Sequence, residues 1–84
     1  MIKNITPESQ KVSNKWIPRG MVWSCNGPTR VEHLEWFKDI ELDTKEIADN
    51  YFIQRCKEKY EAEGYMIKIY EKTKDCPEIE NIQN

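Results

Sequence analysis

The 84-residue sequence predicts one small α+β domain. Its expected form is a small antiparallel β-sheet of about three strands, order β-β-α-β, with one α-helix packed on one face. Three observations carry this. Ala48, Phe52, Cys56 and Tyr60 recur at helical spacing ahead of Gly64. The stretch YMIKIYEK, residues 65–72, alternates with the period of a strand. Two extended stretches also flank Asn26-Gly27-Pro28, a turn-forming run.

Taken in order, residues 1–13 have few large apolar groups and no periodicity, so they read as a flexible N-terminal arm. Residues 14–73 form the single ordered domain, and residues 74–84 read as a flexible C-terminal tail. Within the domain, KWIPRGMVWSC is extended, with Ile17, Met21 and Trp23 on one face and Pro18 suited to an edge. Asn26-Gly27 resembles the centre of a tight hairpin turn. Pro28 would then hold the position whose N–H closes that turn, and it has none, so a longer loop over residues 25–29 is expected.

After the loop, Leu34, Trp36, Ile40 and Leu42 share a strand face, although Thr29 and Glu32 also have the spacing of a capping box that opens a short helix. Strand is the preferred reading, with Trp36 set against the helix. Asp43 and Glu46 mark the start of that helix and Gly64 its end, placing it over residues 44–63. Ile47 and Tyr51 widen the apolar arc beyond the stripe of about 100° that a single contact needs. The N-terminal arm or a second subunit would cover it, and a homodimer is the default symmetric solution. In a chain this short, the sheet face away from the helix is left for a tail, a partner or a ligand.

The charge of −2 is divided unevenly. Residues 1–30 carry Lys3, Lys11, Lys15, Arg19 and Arg30 against Glu8, a balance of +4, and the remainder carries −6. Such a split favours an anionic partner for the first part or association between copies. No stretch has the length of apolar residues that a bilayer span needs, and the N-terminus lacks a secretory h-region, so a cytoplasmic protein without membrane contact is expected. Cys25, Cys56 and Cys76 have irregular spacing and read as reduced thiols. Lysine outnumbers arginine ten to three, with Ile, Asn, Tyr and Glu frequent, a composition of AT-rich genes that suits a phage or bacterial source.

Catalytic signals are weak. Cys25 and His33 form the nearest Cys-His pair, but a hairpin between them separates them by more than about 10 Å, since a strand rises about 3.3 Å per residue. The cysteines and His33 lack the short ligand spacings of a zinc site, and no phosphate-cradling glycine run or nucleophile elbow is present. Neither enzyme activity, metal nor cofactor is expected. What remains is the cluster of aromatic and basic residues between Lys15 and Phe37. From it, Lys15, Arg19, Met21, Trp23, Arg30 and His33 are the candidate binding residues. Trp, Met and Arg are enriched at protein interfaces, so a small non-enzymatic regulator or inhibitor that docks a protein partner is the first reading. The alternative is a single-stranded nucleic-acid or nucleotide binder, with bases stacked on Trp23 and phosphates on Arg19 and Arg30. Trp23 is expected to be accessible because it shares its face with Arg19.

Overall fold

A computed structural model describes residues 1–76 and has the expected α+β architecture, a sheet with one helix packed on it. The elements are β1 (Ile2–Pro7), β2 (Gln10–Val12), β3 (Lys15–Ile17), β4 (Arg19–Asn26), β5 (Thr29–Trp36), α1 (Lys45–Ala62) and β6 (Met66–Ile69). The main sheet has four strands in the order β5-β4-β1-β6, and β2 and β3 form a separate two-stranded sheet. It is mixed rather than purely antiparallel: β1 pairs antiparallel with β4 and parallel with β6.

The expected N-terminal arm is therefore a central strand. Its sequence hides this because Asn4 and Thr6 alternate with the apolar residues, yet both are buried. Thr6 accepts a hydrogen bond from the Trp23 indole N–H at 3.0 Å, so its hydroxyl is satisfied inside the protein. Ile5, on the other face, enters the core with Val22, Phe52, Cys56 and Tyr60. The β-branched residues Ile2, Ile5 and Thr6 suit a pleated strand.

The hairpin loop is tighter than expected. Asn26 pairs with Thr29, leaving Gly27 and Pro28 as the two central residues. Gly27 has φ 63°, and proline's fixed φ suits the second position, the pattern of a type II′ turn. Taking Asn26-Gly27 as the central pair shifts the turn by one residue and makes Pro28 look obstructive. In the true register the closing N–H belongs to Thr29.

Helix α1 begins one residue later than the Asp43 cap implies. Thr44 is the N-cap, its hydroxyl accepting from the Ile47 N–H at 3.2 Å, while Asp43 takes the Lys15 ammonium at 2.5 Å. Gly64, at φ 95°, follows the helix in the left-handed conformation. Ala48, Phe52, Cys56 and Tyr60 are its buried residues, as the four-residue repeat predicts. Phe52 lies so close to β4 that a Cβ on Gly20 would stand 2.6 Å from its ring and 2.5 Å from the Thr6 carbonyl oxygen. The extra width of the apolar arc has an internal use, since Tyr51 packs edge-on against Phe37 with ring centroids 5.9 Å apart.

The cysteines also differ from expectation. Cys25 and Cys76 form a disulfide with Cα atoms 5.6 Å apart, and only Cys56 is a free thiol. Their sequence separation of 51 gives no spacing signal; the fold brings the hairpin tip and the segment after β6 together. The segment after β6 crosses the sheet face opposite α1. Tyr70 covers Trp23, the Lys74 carbonyl accepts from Arg30 Nη1 at 3.0 Å, and Cys76 closes the strap. Residues 74–76 are thus tied down, and the rest of the expected tail, 77–84, lies outside the described residues.

Candidate functional site

The register of the β4–β5 hairpin assigns every side chain to a face. Gly20, Val22, His33 and Glu35 turn toward α1. Arg19, Met21, Trp23, Leu34 and Trp36 turn to the outer face, with Met21 opposite Leu34 and Arg19 opposite Trp36. Trp36 is therefore not against the helix as expected. The Arg19 guanidinium carbon lies 5.0 Å from its ring centroid and Lys38 approaches at 5.8 Å, both within cation–π range.

The outer face has two halves. Toward the hairpin tip, Trp23 is only 3% exposed, its ring 5.3 Å from that of Tyr70, so the expected accessibility of Trp23 is overturned. The strap and the Thr6 hydroxyl enclose it. Away from the tip, Arg19, Met21, Leu34 and Trp36 have no strap over them, and Leu34 is 43% exposed.

Of the candidate binding residues, only Arg19 and Met21 lie on this open half. Arg19 also donates to Gln10 at 2.7 Å and to Glu8 at 3.0 Å. Arg30 belongs to the strapped half, bonded to Glu32 at 2.5 Å. Lys15 sits on the small sheet, paired with Asp43. Each of these two pairs shares its charge locally, and the Lys15 and Asp43 shifts, up and down respectively, come from that mutual hydrogen bond. Leu34 and Trp36 were missed as site residues. Their alternation was visible in the sequence, but the side to which it pointed depended on whether the loop held an odd or even number of residues, five over 25–29 or two as Gly27-Pro28.

His33 joins a different cluster, on the helix side. Its Nε2 lies 2.9 Å from Glu35 Oε1 and 3.2 Å from the Tyr60 hydroxyl. Tyr60 donates a short hydrogen bond to the same carboxylate, and Lys59 Nζ lies 3.4 Å away. Burial opposes ionisation of Glu35, but the Tyr60, His33 and Lys59 donors outweigh it and hold the carboxyl below its ordinary range. Tyr60 moves upward, through burial first and then Glu35. Burial and the Glu35 charge push the Cys56 thiol to about 12, so it is protonated at neutral pH and is not an activated nucleophile. The cluster pins β5 to the second half of α1.

Among the described residues no helix is long and apolar enough to cross a membrane. Comparison with known proteins brings no match: no family model, no curated protein and no solved structure matches the chain.

Proposed function

We propose that the protein is a small non-enzymatic binding protein, a regulator or inhibitor of the phage or bacterial type, that docks a protein partner on the open half of the hairpin's outer face. One observation carries this reading: the second half of β5 turns His33 and Glu35 toward the helix and Leu34 and Trp36 away from it. An ordinary two-layer domain does the reverse. Met21 and Leu34 supply apolar area, and Trp36 with Arg19 supplies an amphipathic anchor of the kind that dominates interface energetics. The nucleic-acid reading has lost its platform, because Trp23 is enclosed and Arg30 is bonded to Glu32 and Lys74.

A photo-crosslinking residue at position 34 tests the proposal against the same residue at Glu61, on the exposed end of α1. In extract of the source cells, position 34 should capture a discrete protein that position 61 does not. Equal capture at both positions, or capture of nucleic acid alone, contradicts it. A cytoplasmic site of action, which the sequence suggests, conflicts with the Cys25–Cys76 disulfide, because cytosolic thiols are kept reduced. Thiol labelling of protein extracted into acid decides between a cytoplasmic and an oxidising compartment.

A further inference from the structure

We infer that the outer edge of β5 is a self-pairing edge, on which a second copy of the chain adds its own β5 antiparallel to make one continuous sheet. The inference deepens the reading above, since it names one partner of the same hairpin. It begins with the turn. A two-residue loop makes Asn26 and Thr29 a bonded pair, and bonding alternates along an antiparallel ladder. Val31, His33 and Glu35 thus spend their backbone groups on β4, as does Phe37, whose N–H donates to the Pro18 carbonyl at 2.9 Å. Arg30, Glu32, Leu34 and Trp36 direct theirs outward, and among the described residues none of these groups has a backbone partner.

The edge lacks two of the usual defences, proline and lysine, although it carries Arg30, Glu32 and Glu35. Strand β5 is eight residues long, without proline or lysine, and Val31 and Leu34 on its two faces are 54% and 43% exposed. The opposite edge, β6, has four residues, one of them Lys68. An extended segment that docks on β5 must offer the same alternation of outward groups and complementary side chains, and β5 itself does.

A two-fold axis at His33 uses every outward-facing residue of both copies. It sets Arg30 opposite the partner's Trp36 and Glu32 opposite the partner's Leu34, with no like charges among the residues opposed on the outer face. Shifting the axis to Glu32 loses a bonded pair and sets Glu32 against its own copy, which is unfavourable. The axis at His33 makes one continuous outer face, in which each copy's open half lies beside the partner's strapped half, with both helices behind it.

Size exclusion with light scattering on the full chain should give about twice the monomer mass of 10.1 kDa. Leu34→Glu sets a carboxylate opposite the partner's Glu32 and should weaken the dimer at least tenfold, a loss that adding Glu32→Lys reverses. Leu34→Pro removes an outward N–H, leaves the β4 ladder bonded and should be monomeric; circular dichroism checks that both variants fold. His33→Cys should yield a covalent dimer under mild oxidation, because an unbonded antiparallel pair has Cα atoms about 4.5 Å apart, within disulfide reach. A wild-type mass near 10.1 kDa at all concentrations overturns the inference. So does a dimer that tolerates Leu34→Glu, or one that His33→Cys fails to lock. Met21→Lys alters the docking face but not the edge, so it should abolish partner capture and leave the dimer. Capture by a wild-type monomer would fell this inference and spare the reading above.

Discussion

Trp23 and Trp36 stand on adjacent strands and on the same face of one sheet, and a reading of strand alternation alone would treat them alike. Their surroundings differ in what crosses above them. Over Trp23 runs the strap from Tyr70 to Cys76, and the Thr6 hydroxyl accepts a hydrogen bond from the indole N–H. Over Trp36 lie the cations of Arg19 and Lys38, and among the described residues no strap crosses it. The strap converts half of an outer face into a second, minor core. Among the described residues, no segment crosses the other half. A function that needs exposed aromatic and apolar area belongs to the uncovered half.

The comparison breaks most visibly on truncation of the buried ring. Trp23→Ala removes an enclosed aromatic and the donor to Thr6, so it should cost about 3–5 kcal/mol, enough to lower the melting temperature by tens of degrees or unfold a domain of this size. Trp36→Ala should cost less than about 1 kcal/mol in the same melts. Equal losses would erase the distinction.

Gly20 sharpens it from the helix side. It lies between Arg19 and Met21, and its missing side chain lets Phe52 touch the sheet. Gly20→Ala should destabilise by about 1–3 kcal/mol through overpacking, visible in urea titration, whereas Met21→Ala one residue on should cost less than that. A neutral Gly20→Ala would mean that the helix does not press on this strand.

Glu35, next to Trp36 but facing inward, adds a pH test. Its folded carboxyl ionises below the ordinary 4.5, so the stability it contributes is fully present above that value and is lost as pH falls through the lower folded value. Glu35→Gln should cost about 1–3 kcal/mol at neutral pH and flatten the acid limb of the stability profile. The Trp36 variants should leave that limb unchanged, since Trp36 turns to the face of β5 opposite the cluster.

Much of the fold was legible because the helix and the last strand are written in periodicity: Ala48 to Tyr60 every four residues, and alternation through Tyr65–Lys72. The first strand was not. Its buried Asn4 and Thr6 look like surface residues until Trp23 supplies a partner from a distant strand. The site was legible in composition but not in sidedness. Which face Leu34 and Trp36 take depends on whether the loop holds an odd or even number of residues: a five-residue loop over 25–29 would set Leu34 opposite Gly20 on the helix side, whereas the two-residue turn sets it opposite Met21. The strap rests on a disulfide between distant cysteines, a tertiary fact with no local trace.

Acrylamide quenching of tryptophan emission tests the central contrast most directly. Three variants, each with one tryptophan replaced by phenylalanine, separate the contributions of Trp16, Trp23 and Trp36. The account predicts that Trp36→Phe removes a readily quenched component, while Trp23→Phe removes one that is nearly inaccessible as long as the Cys25–Cys76 bond is intact. A Trp23 quenched as readily as Trp36 in the oxidised protein would contradict it, and the open half of the hairpin would lose its claim to be the binding face.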